Sequence, residues 1–164
     1  MTAPAHNWTF TEEDFGAITE SLRRFLEETA ALCALLVDRS GQLVTAVGDA
    51  PPGLDPVTFA TLTAADFSAN DQLARIVGET EFSSLFHQGE RESVYVADVA
   101  RRLILAVVFD SRTSVGLVRL KLKPEVEELT LLLDKALSRA RNGAEPERKP
   151  LQGAHEEIDN LFNW

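Results

Sequence analysis

The sequence predicts an α+β domain with a largely antiparallel sheet. Three observations carry that prediction. Short β-rich runs come in consecutive blocks, two and then three, and do not alternate one by one with helices. Three longer segments keep apolar residues at spacings of three and four, as helices with one buried face do. Residues 103–109 form an unbroken apolar run, the pattern of a central strand covered on both faces. The order is therefore helix, two strands, helix, three strands, helix, tail.

The first helix begins at Thr11-Glu12-Glu13-Asp14, with Thr11 as the N-cap and the acids at the positive end of the dipole. Phe15, Ile18, Leu22, Phe25 and Leu26 follow on one face, giving a helix over about 12–29. Leu32 to Val37 and Leu43 to Val47 flank Asp38-Arg39-Ser40-Gly41 and read as a hairpin. A loop over 48–53 contains Pro51 and Pro52. Asp55 caps the second helix, Pro56 takes its first position, and Gly78 stands just past its last residue, Val77. On a wheel of about 100° per residue, Phe59, Leu62, Ala69, Leu73, Ile76 and Val77 share its apolar side. Beside them runs Thr61, Ala65, Ser68 and Gln72. A solvent face would ordinarily carry Lys, Glu or Arg there. Small uncharged residues instead permit close approach of another surface.

Phe82 to Phe86, His87-Gln88-Gly89-Glu90-Arg91 and Ser93 to Val96 read as strand, turn, strand. Arg101-Arg102 fits the hairpin turn before the strand 103–109. Residues 118–123 are open to two readings: they alternate as in a strand, yet Val118 and Leu122 join Val126, Leu129, Leu132, Leu133, Ala136 and Leu137 in a helical pattern. Pro124 either starts that helix or kinks it, and a helix is expected from 124 to about 141.

The composition shifts at Asn142. Residues 1–141 are expected to form one domain, 142–154 a linker rich in Gly, Pro and charge, and 155–164 an amphipathic tail. In the tail, Ile158, Leu161 and Phe162 fall at i, i+3 and i+4 among Glu156, Glu157 and Asp159, and Trp164 follows. Ten residues are marginal as an isolated helix, so this segment is expected to fold against a partner.

The chain has 164 residues, 45% of them hydrophobic and 26% charged, which suits one globular domain. Its net charge is −10, which argues against nucleic acid and against an anionic membrane surface. The absence of a signal pattern and of a long apolar run leads to the expectation of a cytoplasmic protein without membrane insertion. Cys33 is a single cysteine, so neither an internal disulfide nor a Cys-based zinc site is expected. It lies inside an apolar run, where a buried inert thiol is the natural reading. His6, His87 and His155 stand in separate segments without ligand spacing. Ser83, Ser84 and His87 lack a third triad member. No Gly-rich phosphate loop is present. The chain is therefore expected to hold no catalytic residue, cofactor or metal of its own.

Several stretches resemble a known family. They are Leu36-Val37-Asp38-Arg39-Ser40-Gly41-Gln42-Leu43, Leu62-Thr63-Ala64, Leu73 to Glu79, Phe86 to Arg91, and Val108 to Leu120. Together with the tail Ile158-Asp159-Asn160-Leu161-Phe162 they resemble the Roadblock (dynein light-chain Roadblock) superfamily. Within it they are most similar to the MglB family, partners of the Ras-like GTPase MglA. The resemblance implies a five-stranded antiparallel sheet, with the central helix on one face and the two terminal helices on the other. It implies a homodimer paired through central helices and edge strands. It also implies a GTPase-activating protein that governs bacterial cell polarity and gliding motility, with enrichment at a cell pole. Activation would come from repositioning the GTPase switch region, not from an arginine finger. Thr61, Ala65, Ser68 and Gln72 become candidate GTPase contacts, with dimer packing as their other use. Ile158, Leu161, Phe162 and Trp164 become candidate tail contacts to the same partner. Arg101, Arg102 and Arg112 are the arginines weighed as trans fingers, against turn or capping roles. Asp66 stands where relatives usually have Asn, and Phe67, Ser68, Asn70 and Asp71 are bulkier or more polar than the Ala- and Gly-rich stretch usual there. That departure would suit the alternative, a dimeric scaffold or polarity adaptor that binds the GTPase without changing hydrolysis.

Overall fold

Local signals set the first helix. In the computed structural model, which describes residues 10–143, helix α1 spans Glu12–Thr29. The Thr11 hydroxyl accepts from the Asp14 N–H, and the Asp14 carboxylate accepts from the Thr11 N–H. This reciprocal pair satisfies two donors that a helix start leaves open. Ile18, Leu22, Phe25 and Leu26 are buried as their spacing predicts. Phe15 is not: it remains partly exposed and meets Phe10 edge-on, with ring centroids 5.4 Å apart.

Strands β1 (Cys33–Asp38) and β2 (Leu43–Gly48) form the first hairpin. Helix α2 (Pro56–Ile76) follows, capped by the Asp55 carboxylate, which accepts from the Thr58 N–H at 3.1 Å. Strands β3 (Ser84–Gln88), β4 (Ser93–Val99) and β5 (Leu103–Phe109) then form a meander, and helix α3 (Val115–Gly143) closes the described chain. The five strands lie in the order β2-β1-β5-β4-β3, and every pairing is antiparallel. This is the sheet that the Roadblock resemblance implies.

The central strand divides the core. Leu103, Leu105, Val107 and Phe109 of β5 point to the side of α1 and α3, where they meet Leu22, Phe25, Leu129 and Leu133. Ile104, Ala106 and Val108 point to the other side, where they meet Ala60, Ala64 and Phe67 of α2. Both faces of β5 are thus dry, which explains its unbroken apolar sequence. The β4–β5 turn places Ala100 and Arg101 at φ 54° and 58°, the backbone twist that tight hairpin turns need.

Three expectations are corrected and one open reading is resolved. The apolar side of α2 is not its buried side: Leu62, Leu73, Ile76 and Val77 are 64, 58, 79 and 68% exposed. The sheet is met instead by Ala60, Thr63, Ala64, Phe67, Asn70 and Ala74. Alanines let the helix axis approach closely, and a single large side chain, Phe67, fills the remaining space. Strand β3 runs from Ser84 through Gln88, so His87 and Gln88 are strand residues and not turn residues. The two readings left open for 118–123 resolve as helix: α3 starts at Val115, and Pro124 lies inside it. Pro124 is exposed, and the carbonyl it leaves without a donor belongs to Leu120, on the same solvent side, where water can serve it. Finally, α3 runs to Gly143, so Asn142 and Gly143 at the start of the expected linker are helical. The rest of that linker and the tail lie outside the described residues.

Candidate functional site

The outward surface of α2 carries two stripes. Its sheet-facing side is set by Ala60, Ala64, Phe67 and Ala74. About a third of a turn away stand Thr61, Ala65, Ser68 and Gln72, all exposed and all uncharged. The structure thus brings the four predicted contact residues together on one accessible strip. The Thr61 hydroxyl donates to the Val57 carbonyl one turn earlier, at 3.2 Å. Directly opposite the sheet lies the second stripe, Leu62, Ala69, Leu73 and Ile76. The neighbouring strand β3 is an edge of the sheet, with one side of its backbone unpaired among the described residues. An apolar helix face beside an open strand edge is a surface shaped for association.

One end of α2 is tied to the two hairpin turns by a charge cluster that the sequence did not disclose. Arg39, in the β1–β2 turn, donates to Asp71 of α2 at 3.0 Å and to Asp98 of β4. Its guanidinium lies 4.9 Å from the centroid of the Phe67 ring, a cation–π contact. Asp98 also accepts from the Arg101 backbone N–H at 2.9 Å, and the Arg101 side chain reaches Glu81 at 3.1 Å. Arg39, Ala64, Ser68, Asp71, Glu81 and Arg101 line an open cleft of about 310 Å³. Ser68 therefore belongs to both the stripe and the cleft wall. The turn itself packs onto the helix: a Cβ on Gly41 would stand 3.2 Å from the Thr61 Cα, and Gly41 adopts φ +95°.

Two of the polar departures in α2, Asp66 and Asp71, have internal uses. His87 Nε2 lies 2.5 Å from Asp66 Oδ2, which ties β3 to α2. Asp71 holds Arg39, and Phe67 is buried in the core beneath it. In the sequence Arg39 reads only as a turn residue. Its partners stand 32 and 59 residues away and become visible only through the sheet register.

The other candidate residues fall into place separately. Arg112 binds Asp110 two residues before it at 3.2 Å, and Arg101 and Arg102 occupy the β4–β5 turn. Cys33 is buried, and burial first, then the Asp49 carboxylate, push its thiol up to about 11. A thiol so placed stays protonated and unreactive near neutral pH. Ser84 and His87 stand three residues apart on β3 and so face opposite sides of the sheet. Among the described residues, no three His, Cys, Asp or Glu side chains gather as metal ligands. No helix among them is long and apolar enough to cross a membrane. His6, His155, Ile158, Leu161, Phe162 and Trp164 lie outside the described residues.

The fold and the sequence define the class of this protein. It belongs to the Roadblock/LC7 domain family, whose model matches residues 18–109. Among solved structures it is similar to Myxococcus xanthus MglB, at 38% identity over 78% of this chain and 96% of that one, with a TM-score of 0.72. It is similar as well to the gliding protein MglB of Thermus thermophilus, at 32% identity over 79% and 97% of the two chains, with a TM-score of 0.74. An MglB with a tetrameric arrangement matches at 32% identity over the same shares, with a TM-score of 0.75. No curated protein sequence matches the chain.

Proposed function

We propose that this protein is a homodimeric GTPase-activating protein for a Ras-like small GTPase of the MglA type, with a role in bacterial cell polarity and gliding motility. The observation that carries the proposal is the exposed, uncharged strip Thr61, Ala65, Ser68 and Gln72 on a chain most of which matches MglB structures. The apolar stripe Leu62, Leu73 and Ile76, with the open edge of β3, serves as the homodimer surface. Pairing there sets two copies of the strip side by side as a flat platform. The protein contributes no active site. Its part is positional: the platform holds the switch region so that the GTPase's own water-positioning and charge-stabilising groups align. The charge cluster around Arg39 supports this reading, because it fixes the end of the platform against two turns. The tail residues Ile158, Leu161, Phe162 and Trp164 add a second contact to the GTPase through the linker.

Asp66 and Asp71 make internal pairs, so they do not themselves favour an adaptor that leaves hydrolysis unchanged. The test reads binding and activation in the same variant. Replacing Ser68 and Gln72 together by Arg is expected to weaken GTPase binding by roughly 30-fold or more, about 2 kcal/mol, and to remove stimulation with it. Unchanged binding by that variant would place the contact elsewhere.

A further inference from the structure

We infer that the acidic tail, residues 155–164, docks in the free protein along the outer face of its own α3, on the ridge Leu117, Leu120, Pro124 and Leu131. This does not rest on the GTPase reading. Leu120 and Leu131 are 69 and 70% exposed, on the side of α3 turned away from α1 and the sheet. They stand eleven residues apart, which on a helix is one face and about 16 Å. A ten-residue helix is about 15 Å long, so the tail spans the two leucines end to end. Ile158, Leu161 and Phe162 supply a matching apolar strip.

Charge favours the same seat. Lys123 and Lys135, each one helical turn from a ridge leucine, lie exposed beside Glu127 and Asp134, and none of these four makes an ion pair among the described residues. The tail brings Glu156, Glu157 and Asp159. Attachment fits too. The tail follows α3 after residues 144–154, which can span up to roughly 36 Å. From Gly143 back to Leu131 is about 18 Å along the helix, so the tail can fold back antiparallel with slack. A short linker supplies a millimolar effective concentration, which fills a contact too weak to form between separate molecules. A tail seated on α3 is withheld from any other partner, so a GTPase that uses the tail must draw it away.

Trp164 reports the contact directly, because the chain holds only one other tryptophan, Trp8. In the full-length Trp8→Phe protein, acrylamide should quench Trp164 at least about twofold less than in the isolated 155–164 peptide, as expected for a contact filled at high effective concentration. Leu120→Glu with Leu131→Glu should return quenching to the peptide value, with the thermal melt unchanged. Lys123→Glu with Lys135→Glu should move it the same way. Peptide-like quenching in the parent protein would overturn the inference. So would release by Leu62→Glu with Ile76→Glu in place of the α3 pair, or protection that fades on dilution. None of these readings needs a GTPase, so their outcome is separate from that of the proposed function.

Discussion

Glu125 sits between α3 and α1, where the Ser21 hydroxyl donates to it at 2.8 Å. Burial, the largest influence, raises its pKa above the ordinary 4.5 despite that hydrogen bond. The folded state therefore holds this proton more tightly than the unfolded chain does. Stability from this group is full below pH 4.5 and is lost as pH rises through the raised value. At neutral pH the charged form is a cost. Glu125→Gln should raise the melting temperature, and by more at pH 7.5 than at pH 4.5; thermal melts at the two pH values check it. Arg39 is the opposite case, a cation whose removal strands two partly buried acids. Arg39→Ala should lower stability by about 1–3 kcal/mol, read by urea denaturation. Neither residue announces its role in sequence. Each depends on a partner brought in by tertiary structure, Ser21 across 104 residues and Asp98 across 59.

At the scale of elements, legibility followed the range of the forces involved. The α1 start was readable because Thr11 and Asp14 are three residues apart and bond each other. Strand β5 was readable because burial on both faces leaves no polar alternation. Helix α2 was readable as a helix, but its orientation was not. A wheel shows where apolar residues cluster, and here that cluster faces away from the sheet, while small residues meet it. Association competes with folding for the same side chains, and one sequence does not say which has the larger claim. The early start of α3 had a usable signal in Ser114, whose hydroxyl accepts from the Leu117 N–H at 3.2 Å. Alternation over 118–123 obscured it. Two predictions belong here. Pro124→Ala should stabilise the protein by about 1–3 kcal/mol, seen as a shifted urea midpoint, since it restores a helix hydrogen bond at an exposed site. Leu73→Asp with Ile76→Asp should convert the proposed dimer to a monomer in sedimentation or light scattering while the chain remains folded.

Across the whole molecule, the sheet separates two differently covered surfaces. One face is sealed by α1 and α3 and is joined through Arg24 to Glu128 and Arg139 to Asp14. The other is covered by a single helix, whose outer side presents both the apolar stripe and the uncharged strip. The four strip residues were legible as a group because their lack of charge breaks the rule for a solvent face. The cleft beside them was not, because its walls come from four separate segments. This division of surfaces leads to the central claim, that the α2 platform accelerates GTP hydrolysis by a Ras-like partner. The direct measurement is single-turnover hydrolysis by the MglA-type GTPase, alone and with this protein, both full length and truncated after Gly143. An acceleration of at least about tenfold, ~1.4 kcal/mol of barrier, retained by the truncated protein, is the predicted result. Tight binding with an unchanged hydrolysis rate would contradict it.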